Sequence, residues 1–349
     1  MKRLLTTFLF SLILNLYLYP QKERNISITG VGDIMLGTNF PSKKYLPKNC
    51  SSLLSNISSV LSSSDITFGN LEGCISDNAK LVKTCKDSTK CYAFRMPNKF
   101  GACLKSIGLD VVSIANNHIM DFGIEGLNNT RKILKSLNIE YAGTLEDPYT
   151  IFVKDSITYG FCAFSPNKGT QSINNYQEAV KIVNLLNEKC DIVIASFHGG
   201  AEGKEHQHIT KEIEFYYGEN RGNVYKFSHE LIDAGADIIF GHGPHVTRAI
   251  ELYKNRFIAY SLGNFCTFKR FNLKGVNGIS PIIKIDVNRL GEFQKGKIIP
   301  VKQIQEGIPI IDTSKEVIKK IQELTNDDFK FSKLVITDNG EILKKNEKR

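Results

Sequence analysis

"GADIIFGHGPHV", residues 235–246, is the stretch on which the reading of this chain turns. The run from Asp237 to Phe240 has the pattern of a buried strand, Gly241 ends it, and His242 and His245 follow with only Gly243 and Pro244 between them. A hydrophobic strand that stops on two histidines is a pedestal. Its apolar residues fix the backbone in a core, and the imidazoles stand just beyond its carboxyl end, where open α/β sheets hold their ligands.

The same kind of ending recurs along the chain. "ISITGVGDIML" reaches Gly32-Asp33, "ITFGNLEG" reaches Asn70-Leu71-Glu72, "LDVVSIANNH" ends in Asn116-Asn117-His118, "DIVIASFHGG" in His198, and "RFIAYSLGNF" in Asn264. Between these strands run segments of helical period, such as "IEGLNNTRKILKSLN", "NYQEAVKIVNLLNEKC" and "NVYKFSHELIDAG". "TIFVKDSITYGFCAFS" alternates as a hairpin turning at Asp155-Ser156. Strand and helix units in alternation define an α/β fold. From Pro281 the pattern changes to a second hairpin, turning at Leu290-Gly291, and an amphipathic helix "TSKEVIKKIQELTND" with Thr313 or Ser314 as its expected cap. The expected organisation is therefore a leader over 1–25, a main domain over 26–284 and a C-terminal extension over 285–349 packed on it.

The 349 residues, 42% of them hydrophobic, supply a sizeable core. The formal charge is +9, but the basic residues are scattered and no basic helix, zinc-finger spacing or ribonucleoprotein motif accompanies them. Nucleic acid is thus not an expected partner, and an anionic small or polymeric substrate is the better use of the excess. Lys2 and Arg3 precede an apolar run from Leu4 to Tyr19, the layout of a secretory signal. Leu16 to Tyr19 are not the small residues a signal peptidase prefers, so a retained N-terminal anchor stands beside the cleaved signal. Either reading implies export. Among eight cysteines, Cys85 and Cys91 are close together in a polar segment and form a disulfide candidate, whereas Cys162 and Cys190 sit in or beside apolar runs as small hydrophobes.

Four of the seven histidines sit at three strand ends, beside Asp33, Glu72 and Asn117. Oxygen and nitrogen donors without cysteine suit zinc, manganese, iron or magnesium. One or two such ions can activate water and clamp a phosphoryl or acyl group, with His118 placed to protonate the leaving group.

Taken in order, "GDIMLG", "NLEG", "ANNHIMDFGIEGL", "YAGT", "FHGG", "GADIIFGHGPHV" and "YSLGNF" resemble the motif set of the CapA family of capsule or poly-gamma-glutamate synthesis proteins, over about residues 26 to 284. That family is similar in fold to calcineurin-like metallophosphoesterases. The resemblance implies a four-layer α/β/β/α sandwich, with Asp33, Glu72, Asn117, His198 and His242 as metal ligands and His118 and His245 in catalytic positions. Met35 stands where the phosphoesterase pattern has a histidine, Glu72 where it has an aspartate, and His-Gly-Pro-His replaces its closing His-x-His. Arg95, Arg221, Arg248 and Lys204 are candidates for gripping an anion. Two functions follow from this: a metal-dependent hydrolase or transferase acting on an exported anionic polymer or its precursor, or a non-catalytic component that binds the polymer or a membrane synthase around a structural metal.

Overall fold

A computed structural model describes residues 24–84 and 92–345. The apolar run of the expected leader, and the Cys85 and Cys91 pair, lie outside the described residues. Two sheets dominate. Their strands are β1 (Ile26–Met35), β2 (Ile66–Leu71), β3 (Val111–Ser113), β4 (Glu140–Ala142), β5 (Tyr149–Lys154), β6 (Ile157–Phe164), β7 (Ile192–His198) and β8 (Ile238–His242). There follow β9 (Ile250–Tyr253), β10 (Arg256–Ala259), β11 (Asn264–Thr267), β12 (Ile279–Val287), β13 (Phe293–Ile304), β14 (Ile308–Ile311), β15 (Leu334–Ile336) and β16 (Glu341–Lys344). The ten-stranded sheet runs β15-β16-β13-β12-β1-β2-β3-β4, with β11 also on β1 and β14 on β13. The six-stranded sheet runs β9-β10-β8-β7-β6-β5.

Side-chain parity explains the layering, because alternate residues of a strand face opposite sides. Ile28, Phe68, Val111, Phe161, Ile194 and Phe240 meet between the sheets in one core. On the far side of the first sheet, Val31, Leu71 and Val112 pack against short helices at Cys50–Leu54 and Gly101–Ser106 and the longer one at Gly123–Ser136. Val193, Phe197 and Ile239 of the second sheet pack against the helices Tyr176–Asn187 and Val224–Asp233. The result is a four-layer α/β/β/α sandwich.

Residue 284, the expected boundary, lies inside β12, which pairs with β1 from Ile283 opposite Gly30 to Val287 opposite Ile26. The C-terminal segment is therefore part of the first sheet. Its last helix, Glu316–Asp328, sends Val317, Ile318 and Ile321 into the inter-sheet core. The helix starts later than its sequence suggested. The Asp312 carboxylate, rather than Thr313 or Ser314, accepts from the Glu316 amide at 3.0 Å, because Lys315 adopts a left-handed φ of 58°.

A disulfide joins Cys50 to Cys103, 53 positions apart, on the outer layer of the first sheet. Closing a loop of that length restricts the unfolded chain by about 4 kcal/mol. A Cys50→Ser/Cys103→Ser double variant is expected to lower unfolding free energy by roughly 2–4 kcal/mol, measured by urea denaturation, and the wild type with reductant should show the same loss.

Candidate functional site

Parity also places the polar strand ends. His198 shares the inner face of β7 with Ile194, and His242 that of β8 with Phe240, so both imidazoles stand where the inter-sheet core stops. Phe68 stacks on Phe240 at 5.3 Å and lies 5.5 Å from the His242 ring, forming an aromatic floor beneath them. Asp33 needs a further device. Ile26 and Ile28 face the inner core while Ile34, of the same parity, faces the outer one. A register shift between Gly30 and Asp33 accounts for the reversal; such a slip flips side chains to the other face and here turns Asp33 inward. Gly32 permits the close passage, since a Cβ there would lie 2.0 Å from the Gly263 carbonyl oxygen.

Asp33, Glu72 and His198 each offer a ligand atom within 4.8 Å of the others, and all three are fully buried. Around Asp33, Oδ1 accepts from Asn70 Nδ2 at 2.8 Å and lies 3.2 Å from His242 Nδ1, while Oδ2 lies 2.8 Å from His245 Nδ1. Asn70 also donates to Glu72 Oε2 at 2.6 Å, so one amide spaces the two carboxylates. Asn116 in turn donates to Asn70 Oδ1 at 3.2 Å and to the Leu71 carbonyl at 2.8 Å. Sequence reasoning gave no role to Asn70, although its place two residues before Glu72 on the inner face of β2 was the available signal.

Electrostatics sort the group by charge. Burial opposes ionisation of Asp33, but the hydrogen bonds and charges of His242 and His245 outweigh it and hold the carboxyl well below its usual range. Burial, reinforced by the Asp33 charge, pushes Glu72 up to about 8. For His245 burial works against protonation, yet the Asp33 hydrogen bond and charge carry it up to about 9. Burial, then the neighbouring Arg221 charge, depresses His198 well below the ordinary imidazole value.

Glu72 Oε1, both ring nitrogens of His198, His242 Nε2 and Asn117 Oδ1 are buried without a hydrogen-bond partner. Unsatisfied buried polar atoms are rare because each forfeits its hydration. Two imidazoles, a carboxyl oxygen that a cation's charge would favour in ionised form, and an amide oxygen beside Asp33 fit a divalent cation of oxygen and nitrogen preference. Met35 is fully buried in the core and offers no ligand there.

His118 borders this group, with Nε2 4.0 Å from Glu72 Oε1. Its Nδ1 lies 2.6 Å from Asp121 Oδ2, and Asp121 is held by the Phe94 amide at 3.0 Å and by Lys83 at 2.9 Å. Burial lowers the His118 pKa. Nδ1 is thus the nitrogen turned to Asp121 and Nε2 the one turned toward Glu72. Asp121 escaped sequence reasoning, although its i+3 position after His118 in "HIMD" was visible.

A cavity of about 860 Å³ opens over these residues, lined in part by Asn117, His118, His245 and Asn264. A second hollow of about 480 Å³, between Ser76, Asn98, Glu125 and Lys132, lies on the outer helical layer and shares no residue with the first. Of the four cations expected to grip an anion, only Arg221 lines the larger cavity. Arg248 has a fully buried side chain, with Nη1 and Nη2 on the Glu214 carboxylate at 2.8 and 2.7 Å. Arg95 is tied to Asn39 Oδ1 at 2.6 Å and to the Ala79 carbonyl, with its guanidinium over Phe122. Lys204 is exposed and pairs with Glu205 at 3.3 Å. Internal partners hold the two arginines away from any ligand, and Lys204 stands outside the cavity wall.

Residues 27–269 match the family described as bacterial capsule synthesis protein PGA_cap. The chain belongs to that family. Among PGA_cap relatives, a Bacillus anthracis protein named capsule biosynthesis protein CapA is 27% identical over 269 residues, 70% of this chain and 61% of its own length. PGA biosynthesis protein CapA of Bacillus subtilis (strain 168) is 27% identical over 256 residues, 69% of this chain and 63% of its own. The match thus spans a little over three fifths of these relatives. Calcineurin-like phosphoesterase YfkN from Bacillus subtilis aligns over 88% of this chain and 99% of its own, at 15% identity and a TM-score of 0.47, a likeness too distant to carry a functional argument.

Proposed function

We propose that this PGA_cap protein is an exported, metal-dependent hydrolase or transferase acting on an anionic polymer or its precursor. The carrying observation is the set of buried, unpaired lone-pair atoms of Glu72, His198, His242 and Asn117 gathered beside Asp33. Asp33, Glu72 and His198 would hold the ion, with Asn117 and His242 completing the set. When bound, a divalent cation supplies Lewis acidity toward a substrate oxygen and favours an ionised water.

The chain's own residues do the rest. His118 Nε2 first accepts a proton from the attacking group, since burial keeps the ring neutral, and then returns it to the leaving group. Asp121 orients that ring through Nδ1. The Phe94 and Phe271 rings, 5.0 Å apart, stand against His118 at 4.2 Å and His245 at 5.5 Å and form an apolar part of the cavity wall beside the two histidines. Export is supported by the Cys50–Cys103 disulfide, which persists in oxidising compartments, and by the apolar run from Leu4 to Tyr19. One observation favours a non-catalytic assembly component with a structural ion: Met35 occupies a position where a second ion's ligand would be expected.

Elemental analysis of the purified protein after supply of Mn²⁺, Zn²⁺, Fe²⁺ or Mg²⁺ tests the proposal. The wild type is expected to retain a metal, and folded Asp33→Ala and His198→Ala variants to lose it together with hydrolysis of γ-glutamyl or phosphoester substrates. A wild type without metal overturns the metal site. Metal without turnover favours the structural alternative.

A further inference from the structure

The segment that joins β11 to β12 forms one side of the cavity, and the metal group makes no use of it. It leaves β11 at Phe268, whose amide donates to the Met35 carbonyl at 2.8 Å. Lys269 and Arg270 then both take a left-handed backbone, with φ of 57° and 64°. Residues other than Gly, Asn and Asp rarely adopt that conformation, and it persists where surrounding contacts impose it, as they do at ligand clamps and switches. Arg270, Phe271 and Asn272 line the cavity. Gly275, at φ 58° and with open space where a Cβ would point, ends the segment.

Side chains hold this strap where its backbone does not. Among the described residues, Phe271, Asn272 and Leu273 make no backbone-to-backbone hydrogen bond. Lys269 anchors one end, its amide on the Glu306 carbonyl at 2.6 Å and its Nζ on the Lys44 carbonyl at 2.8 Å and on Glu306 at 3.1 Å. Asn277 anchors the other, its carbonyl accepting from Asn264 Nδ2 at 3.1 Å. Between the anchors two contacts fasten the strap down. The Arg270 guanidinium stands 4.9 Å from the centre of the Tyr45 ring and 4.8 Å from that of Tyr92, and its hydrogen bond lowers the Tyr45 phenol below the ordinary value. The Phe271 ring stacks on Phe94 at 5.0 Å and meets His245 edge-on at 5.5 Å, while Phe94 covers His118 at 4.2 Å. Tyr45 lies outside the cavity lining.

We propose that residues 268–275 form a gate beside the two histidines, with Arg270 as its latch on Tyr45 and Tyr92 and Phe271 as the leaf that closes the approach to His118 and His245. Release of the latch swings Phe271 off Phe94, with Lys269 and Gly275 as hinges, and widens the cleft. Closure re-forms the clasp over whatever has entered. A guanidinium on aromatic rings suits a latch, because at a surface such a contact biases a two-state equilibrium by about a few-fold and so holds without locking. The gate belongs to the cavity and stands whichever chemistry the residues beneath it perform.

Site-resolved carbethoxylation tests it, with diethyl pyrocarbonate added to the purified protein in chelator and each histidine followed by peptide mass spectrometry. In the wild type, His118 and His245 are expected to react far more slowly than the exposed His206. Tyr45→Ala removes one ring of the latch and no part of the cavity wall. It should speed modification of His118 and His245 by roughly three- to tenfold. His206 should be unchanged, as should His229, which Glu251 holds at 2.9 Å on the helix Val224–Asp233. Arg270→Lys, which keeps the charge and loses the flat guanidinium, should act in the same direction. Trypsin supplies a second reading, since Lys269, Arg270 and Lys274 all lie in the strap. Native Tyr45→Ala should be nicked there several times faster than the wild type, at an unchanged Tm. A fixed wall predicts no effect of Tyr45→Ala on either measurement, and that result overturns the gate. So does a wild type whose His118 and His245 react as fast as His206, since nothing then closes over them. Faster modification of His229 together with the cleft pair overturns it as well, by showing a general loosening of the fold.

Discussion

Arg248→Ala is expected to lower unfolding free energy by about 3–5 kcal/mol, the usual cost of removing one partner from a buried ion pair. The Arg248 guanidinium makes two bonds to Glu214 and a third, at 3.1 Å, to the Ala201 carbonyl, all out of water. Glu214 in turn accepts from the Ala201 amide at 2.8 Å. Alanine would leave that carboxylate buried beside a void. The pair also ties down the loop that follows His198, so the variant should bind metal more weakly. Urea denaturation measures the first effect and metal titration the second. A double variant, Arg248→Met with Glu214→Leu, should recover part of the stability, because removing both charges also removes the stranded one. Wild-type stability in Arg248→Ala would show that water reaches Glu214.

His118→Ala carries the second large effect. Turnover of whichever γ-glutamyl or phosphoester substrate the wild type hydrolyses is expected to fall by about 10²–10⁴-fold, the range for loss of a positioned acid–base group. Metal content should stay at the wild-type level, since Asp33, Glu72 and His198 are untouched. Asp121→Asn should show a smaller loss of the same kind, because an amide still reaches His118 Nδ1 but favours the other tautomer. Loss of metal in His118→Ala would instead make His118 a ligand, and unchanged turnover would remove it from the chemistry.

The strand ends were legible because burial and chemistry pull in opposite directions there. An apolar run that stops on His198 or His242 has no packing reason to do so, and inner-face parity carries both residues to the same place. The bulge that turns Asp33 inward was not legible, since nothing in "GVGDIM" marks where alternation breaks. Arg248 and Arg95 were misread for a physical reason. An arginine's letter does not say whether it faces water, and the partner that buries Arg248 is 34 positions away. The Cys50–Cys103 bridge was hidden in the same way, its two halves lying on separate short helices 53 positions apart.

Asp33 lies against His242 across 209 positions of sequence and against Glu72 through Asn70. Such separations carry a large loop-closure entropy, which must be met by the two sheets before any carboxylate and imidazole come within reach. An ion therefore cannot nucleate this fold. An ion held by Asp33, Glu72 and His198 would bind last, at a place that exists only once β1, β2, β7 and β8 have docked, so metal affinity would gauge complete assembly.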